Sequence, residues 1–409
     1  MEENNKAALI GINTSKYDKS IINQQINELK ELSFTLEYKI LEIFVQNRVK
    51  IDPSTYIGKG KIFEIINKCS ILEIKVLIFN DELSPSQIKN IQKLCEGKLL
   101  ILDRTKIILD IFKIHAQSNE AKKQVELATA QYMLPRLTGL WTHLERQVGG
   151  VGVRGGPGEK QIEIDRRILR KNITSLKKDL IKIKNQKSIQ KQQRKNIYKI
   201  CIAGYTNAGK STLMKALTGY STLIKNQLFA TLDTTTKKIR LNNKYDVLIS
   251  DTVGFLDNLP HDLIASFRST LSEIEDADLI IKLIDISSDN IQRHIETINE
   301  TLELLNARDK KSIIVFNKID KIKNKSIFTQ INKKYDNPLL VSSVNNLKIN
   351  NLINCIVDII ETNMNTYNIK IPYNKSSFID ILYRETNVIN IENYDDYIDV
   401  EIKVSKKKY

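Results

Sequence analysis

Residues 197–203 read Ile-Tyr-Lys-Ile-Cys-Ile-Ala, residues 204–212 continue Gly-Tyr-Thr-Asn-Ala-Gly-Lys-Ser-Thr, and Leu-Met-Lys-Ala-Leu follows at 213–217. The first run is short, apolar and closed by a glycine, the pattern of a buried strand, and the last has the composition of a helix. Between them lies G-x-x-x-x-G-K-[ST], in the strand–loop–helix setting that gives this spacing its chemical meaning. Gly204 and Gly209 let the backbone wrap closely around phosphates, so that the amides of Tyr205, Thr206, Asn207 and Ala208 point inward and the helix dipole adds to them. In this reading Lys210 reaches the β- and γ-phosphates, the Ser211 hydroxyl ligates Mg2+, and Thr212 completes the motif.

Three further stretches follow in order, each after a strand-like run. Residues 245–250 lead into Asp251-Thr252-Val253-Gly254. A carboxylate at a strand end, 40 residues past Ser211, suits holding Mg2+ through water, and Gly254 offers its backbone N–H to a γ-phosphate. After a second apolar run at 279–284, residues 312–316 lead into Asn317-Lys318-Ile319-Asp320. N-K-x-D resembles the guanine-specificity motif. The Asp320 carboxylate accepts from guanine N1 and its 2-amino group, a donor pair that adenine lacks, so GTP is expected over ATP. Ser342-Ser343-Val344 resembles the S-A-K-type loop that backs the base, and departs from it at Ser343 and Val344. Between the phosphate loop and Asp251 lies a switch-like run, Phe229, Ala230, Thr231, Leu232 and Asp233, followed by three more threonines. Thr231 is assigned to Mg2+ and the γ-phosphate, with Thr235 as the alternative. Where many GTPases carry a glutamine that orients the attacking water, Phe255 stands. A phenyl ring makes no such hydrogen bond, so slow hydrolysis alone and stimulation by a partner are expected, with Lys210, Thr231 and Gly254 as the catalytic groups.

The chain has 409 residues, 41% of them hydrophobic, enough for several cored domains. No apolar run approaches the roughly 20 residues that span a bilayer, and residues 1–12 do not read as a secretory signal. A cytoplasmic monomer is expected, with peripheral membrane association left open. Cys69, Cys95, Cys201 and Cys355 form no C-x-x-C pair, which argues against zinc or a disulfide framework. The net charge of +15 favours a polyanionic partner.

That charge is concentrated. Residues 159–195 hold 13 Lys or Arg against 4 Asp or Glu, and six of the 14 arginines lie between Arg136 and Arg170. Arginine's planar fork suits phosphate. The same segment places Ile162, Leu169, Ile173, Leu176, Leu180 and Ile183 at coiled-coil-like spacing. Its partner helix is expected at 119–145, with the glycine-rich stretch at 149–158 as a non-helical tip suited to an RNA cleft. From the residues alone this segment is either a solvated basic helix pair with a flexible turn or an RNA-binding hairpin, and in the second case Arg146, Arg154, Gly155, Gly156, Arg166 and Arg167 are the expected RNA contacts.

The chain resembles the HflX GTPases over nearly its whole length. The resemblance rests on Gly58-Lys59-Gly60-Lys61, on residues 79–87 (Phe-Asn-Asp-Glu-Leu-Ser-Pro-Ser-Gln), on Leu102-Asp103-Arg104-Thr105, on Leu134-Pro135-Arg136-Leu137 and Trp141, and above all on residues 146–159. Lys160 and Thr234 depart from the family pattern, where threonine and proline are usual. The resemblance implies binding to the large ribosomal subunit and its rRNA, GTPase stimulation there, and splitting of stalled or idle ribosomes in stress. Some members of that family bind ATP through the N-terminal part, which makes ATP a further candidate ligand there. From the residues alone, Gly58-Lys59-Gly60-Lys61 lacks the phosphate-loop spacing and reads as a tight turn or an RNA phosphate contact rather than as an ATP site. The alternative function is a GTP-dependent RNA-binding or ribosome-assembly factor in which the nucleotide mainly sets conformation.

The expected fold class is α/β. An N-terminal α/β domain spans 1–118, with strands at 7–12, 33–44, 75–79 and 99–102, and a long helical segment covers 119–195. A P-loop G domain at 196–367 has a mainly parallel sheet with helices on both faces. A small C-terminal α+β domain fills 368–409, with two or three strands over 378–404. Asp320→Asn is expected to shift the nucleotide preference from GTP toward xanthosine triphosphate by competition binding; unchanged base choice refutes the Asp320 assignment.

Overall fold

The computed structural model describes residues 5–14, 19–137, 157–192, 197–220, 228–229, 233–257, 271–335 and 337–405. The chain divides into two compact units, one of residues 1–187, 224–234 and 253–272, the other of 188–223, 235–252 and 273–409.

The first unit runs β1 (Lys6–Thr14), α1 (Lys19–Thr35), β2 (Lys39–Arg48), α2 (Lys59–Ile71), β3 (Val76–Phe79), α3 (Pro85–Leu94), β4 (Leu100–Asp103), α4 (Arg104–His115), α5 (Asn119–Met133) and the start of α6 (Pro157–Gln192). Its four strands are parallel in the order β2-β1-β3-β4. The central strands are nearly continuous apolar runs, as strands covered on both faces must be, and Ala8, Ile10, Leu77 and Phe79 share a core with Ile62, Ile65, Ile88 and Ile91. Residues 81–87 acquire a structural reason. Ser84 and Gln87 form a reciprocal capping box with Pro85 in the first turn of α3, which satisfies two orphan amides at once.

One boundary differs from expectation. Residues 33–35 close α1 rather than open a strand, and β2 begins at Lys39. Ile22, Ile26, Leu29 and Leu32 are all buried, a helical stripe that carries the chain past Ser33, whose Oγ donates back to the Leu29 carbonyl at 2.7 Å.

In α6 the expected seam is present: Leu176 is buried and Ile162, Leu169, Ile173, Leu180 and Ile183 are half-buried, whereas Ile164, Ile168 and Ile181 are exposed. Lys123 of α5 pairs with Asp179 of α6 at 2.6 Å. α5 gives way after Met133 to a 3-10 turn, Leu134–Arg136, which interrupts the expected partner helix; its remainder, 138–145, lies outside the described residues. Residues 138–156, which include Arg146, Arg154, Gly155 and Gly156, lie outside the described residues.

The second unit contains β5 (Tyr198–Gly204), α7 (Lys210–Thr218), β6 (Thr235–Leu241), β7 (Tyr245–Asp251), β8 (Leu279–Asp285), α9 (Ile291–Leu304), β9 (Ser312–Asn317), α10 (Ser326–Lys334), β10 (Leu339–Leu340) and α11 (Ile349–Thr362); a short α8 (Ser272–Asp276) precedes β8. The sheet order is β10-β9-β8-β5-β7-β6, with β6 antiparallel to β7 and the other pairs parallel. Because the strands are parallel, β5, β7, β8 and β9 deliver Gly204, Asp251, Asp285 and Asn317 to the same sheet edge, where ligands of open α/β sheets bind.

Beyond α11 comes an antiparallel sheet in the order β11-β13-β12, from β11 (Met364–Pro372), β12 (Asn387–Asn393) and β13 (Tyr397–Ser405), with α12 (Phe378–Glu385) before β12. β11 runs across the expected boundary at 367/368, and residues 378–385 are helical rather than strand. Ile379 and Leu382, three residues apart, pack together onto the sheet core, a spacing that only a helix turns to one side.

Cys69, Cys95 and Cys201 are buried and Cys355 is half-buried, all of them free. Burial pushes the Cys69 thiol up to about 11 and that of Cys95 to about 12, so these are inert packing groups. Among the described residues no cluster of His, Cys, Asp and Glu could hold a metal ion, and no helix is long and apolar enough to cross a membrane.

Glu361 at the end of α11 gathers the second unit. It accepts from Lys244 Nζ at 2.8 Å, Tyr245 Oη at 2.9 Å and Lys403 Nζ at 3.4 Å. Hydrogen bonds from Lys244 and Tyr245 hold its carboxyl down to about 2, from an ordinary 4.5. A depressed carboxylate stabilises above its unfolded value and loses that contribution as the pH falls through its folded one. Glu361→Gln is expected to destabilise by about 1 kcal/mol at neutral pH. In denaturant titrations the gap to wild type should shrink between pH 5 and about pH 2; a gap independent of pH refutes this account.

Candidate nucleotide site

The loop after β5 is shaped by two steric demands. A Cβ on Gly204 would lie 2.5 Å from the Leu283 carbonyl oxygen, and Gly209 sits at φ +93° with space for a Cβ only 2.4 Å from Asn317 Nδ2. Both positions therefore require glycine. Lys210 opens α7 and is buried, its Nζ donating to the carbonyls of Gly204 at 3.1 Å and Tyr205 at 2.8 Å. Burial lowers its ammonium to about 8, against the opposing pull of the Asp251 carboxylate.

Asp251, at the end of β7, is buried and accepts from Ser211 Oγ at 2.7 Å. Burial raises its carboxyl, and the Lys210 ammonium acts against that rise. Its second oxygen, Oδ1, is buried with no hydrogen-bond partner among the described residues. A hydroxyl and a carboxylate with an orphaned oxygen, side by side, form the hard oxygen donor set that Mg2+ takes, so these residues fit the ion. Thr252 turns away from them, its Oγ1 donating to the Ile202 carbonyl at 2.8 Å.

The base-reading residues form one braced group. Asn317 is buried; its Nδ2 donates to the Ala208 carbonyl at 2.9 Å, and its Oδ1 accepts from Ser343 N at 3.0 Å and Ser343 Oγ at 2.8 Å. One amide thereby ties the phosphate loop, N-K-x-D and the 342–344 loop together. Lys318 has φ +64° and donates to the Asn207 carbonyl at 2.7 Å while pairing with Asp285 at 2.7 Å. Ser342 Oγ donates to Asp320 Oδ1, and Ser342 forms an antiparallel bridge with Leu347. The Ile319 amide donates to the Val341 carbonyl at 3.3 Å, while Val344 is exposed.

The structure brings together residues 204–212, Asp251, residues 317–320, Ser342 and Ser343 in one unit. Val253 and Gly254 belong to the other unit, as do Phe229 and Asp233. There Phe229 is buried edge-on against Phe112 at 4.7 Å. Asp233 accepts from the amides of Gln117 and Ser118 at 2.9 and 3.1 Å and from Ser118 Oγ. Phe255 is fully buried, and Arg104 donates to the Asp257 carbonyl at 3.3 Å. Ala230, Thr231 and Leu232 lie outside the described residues. Sequence reasoning missed Asp285, the counter-ion of Lys318. Its signal was present as the carboxylate that closes the apolar run at 279–284. It also missed the stack of Tyr205 on His294, with ring centroids 4.0 Å apart.

A second feature lies on α6. An open groove of about 1320 Å³ is lined by Lys89 of α3 and by Arg166, Arg167, Arg170, Lys171 and Lys178, with Glu163 the one acidic lining residue among the described residues. Thus Arg166 and Arg167 stand in a continuous cationic trough with hydroxyls from Thr174 and Ser175.

Comparison with known proteins gives three matching family models: GTP-binding GTPase N-terminal over residues 23–113, GTP-binding GTPase middle region over 115–194, and 50S ribosome-binding GTPase over 199–318. GTPase HflX of Flavobacterium psychrophilum is 45% identical over 79% of this chain and 77% of its own length. GTPase HflX of Magnetococcus marinus is 34% identical over 98% and 92%. The chain belongs to the HflX GTPase family. It is a hydrolase acting on GTP. GTPase HflX of Escherichia coli is 38% identical over 74% of this HflX-family chain and 70% of its own. Among solved structures, a GTP-binding protein from Sulfolobus solfataricus in complex with GDP is 26% identical, covering 87% of this chain and 98% of its own, at a TM-score of 0.43.

Asn317→Ala removes three hydrogen bonds and leaves buried partners behind. By calorimetry it is expected to weaken GTP binding by about 2 kcal/mol, roughly thirtyfold. Binding within twofold of wild type refutes the bracing role.

Proposed function

We propose that this HflX-family chain binds the large ribosomal subunit through rRNA and hydrolyses GTP there to split or remodel ribosomes in stress. The observation that carries this reading is the α6 groove, where six Lys or Arg side chains line one open trough. Guanidinium groups along a helix match phosphates spaced along an RNA backbone. The description of the family model over 199–318 as a 50S ribosome-binding GTPase supports the same partner, and the predicted contacts Arg146, Arg154, Gly155 and Gly156 would extend it at the tip.

In the proposed mechanism the amides of residues 204–210 and the Lys210 ammonium grip the phosphates, Asp320 reads the guanine, and Asn317 keeps both in register. Ser211 would hold Mg2+ directly and Asp251 through water, and Thr231 is the further predicted ligand; the ion supplies neutralisation of phosphate charge. Gly254 offers its amide to the γ-phosphate. Phe255 cannot orient water, so turnover is slow alone and the ribosome supplies what completes the site. The N-terminal Gly58-Lys59-Gly60-Lys61 turn reads better as a packed turn than as an ATP site, because the Gly58 amide is already spent on Gln46 Oε1 at 2.9 Å.

The test is GTP turnover with and without purified large subunits. Wild type should be stimulated at least tenfold, Lys210→Ala should be inactive in both conditions, and deletion of residues 149–157 should keep GTP binding but lose stimulation. Arg166→Glu with Arg167→Glu should weaken subunit binding. Equal turnover with and without subunits overturns the proposal and favours a nucleotide that only sets conformation.

A further inference from the structure

The chain carries a net charge of +15, yet residues 376–401 hold seven Asp or Glu against one basic residue, Arg384. This acidic run covers α12, β12, the turn after it and most of β13, while the basic residues of the same sheet and its connection, Lys370, Lys375 and Lys403, lie to either side of it in sequence. One face of that sheet is closed by Ile379 and Leu382 of α12 over Ile371, Ile398, Val400 and Ile402. The alternation of β13 sends Asp399 and Glu401 to the other face, where Asp399 stands between Glu392 of β12 and Lys370 of β11. Like charges directly opposite destabilise a sheet, and Lys370 offsets that repulsion at Asp399 but leaves the turn carboxylates Asp395 and Asp396 exposed.

The turn between β12 and β13 reads Tyr394-Asp395-Asp396-Tyr397. Its two rings stack with centroids 5.1 Å apart at 19°, and Asp395 and Asp396 stand exposed between them. Tyr373 Oη donates to the Tyr394 carbonyl at 2.7 Å, which joins this turn to the residues that lead into α12. On α12, Phe378 and Ile381, one helical turn apart, face away from the core and are 54% and 47% exposed. A helix with one buried face normally presents polar groups on the other, so this apolar stripe is a face without a partner among the described residues.

Charge decides what covers it. Seven carboxylates repel nucleic acid and anionic lipid alike, and they attract cations. Stacked tyrosine faces beside free carboxylates suit a guanidinium, which lies flat on a ring while its fork meets an oxygen pair. One cation already uses such a ring: Lys370 Nζ sits 4.6 Å from the centre of Tyr397. We propose that the surface formed by Tyr373, Phe378, Ile381, Tyr394, Asp395 and Asp396 docks a basic, arginine-bearing segment of a partner protein. This contact is separate from the nucleotide site and of opposite charge to the α6 groove, so one chain offers one surface to RNA-like polyanions and another to a cationic polypeptide.

The experiment uses the full chain and a short fluorescein-labelled peptide of alternating arginine and alanine, read by fluorescence anisotropy at physiological ionic strength. Asp395→Asn with Asp396→Asn, and separately Phe378→Ser with Ile381→Ser, should each weaken peptide binding roughly tenfold. All four side chains are exposed, so GTP affinity and Tm should stay at the wild-type values. An oligouridylate should bind the Asp395→Asn, Asp396→Asn variant at least as well as wild type. No measurable peptide binding to wild type, or unchanged binding in either variant, overturns the proposal. So does loss of oligouridylate binding alongside the peptide, which would make nucleic acid the occupant.

Discussion

The nucleotide site depends on one buried side-chain amide. Asn317 holds the carbonyl of Ala208 through Nδ2 and both polar atoms of Ser343 through Oδ1. Three loops that leave different strands thus share a single fixed point. Loops at a sheet edge would otherwise be free to move independently, and a site that must grip phosphates at one end and read a base at the other requires their spacing to be fixed. The fit is tight enough that Gly209 has no room for a Cβ against the same amide.

Around that brace the charges are arranged against the ordinary cost of burial. Lys210 and Asp251 are both buried, and each moderates the shift that desolvation imposes on the other. A buried pair of this kind is weak evidence for stability and better evidence for a site, because it keeps a cation and an anion ready in a low-dielectric cleft. Asp285 pairs with Lys318 at 2.7 Å, which fixes that residue's aliphatic stem beside the phosphate loop.

Charge also divides the rest of the chain by sign. The basic excess of α6 lines an open groove, and the acidic excess of residues 376–401 sits on the C-terminal sheet and its helix. Neither is required by a core: the seam of α6 and the inner face of the C-terminal sheet are apolar in the usual way. Such segregation in sign acts on association and choice of partner rather than on fold.

The sequence by itself determined the phosphate loop, Asp251, the N-K-x-D group and their placement at the ends of successive strands, because each of those residues has a chemical reason to stand at its spacing. The α6 seam was legible for a similar reason, since its periodicity is local. What the sequence left open depends on neighbours far along the chain. Residues 33–35 and 378–385 carry apolar residues that suit either a strand or a helix, and only the packing of Leu29, Leu32, Ile379 and Leu382 into particular cores selected the helix. Asp285 looks like an ordinary strand-end residue until the parallel sheet sets β8 beside β9, and the departure of Ser343 from the usual loop pattern acquires its reason only where its amide and hydroxyl donate to Asn317 Oδ1. The placement of Phe229 against Phe112, and of Asp233 on the amides before α5, joins residues more than 100 positions apart. Contacts of that separation leave no periodic trace in a sequence, because burial and hydrogen-bond partners are decided by the whole fold and not by any window of it.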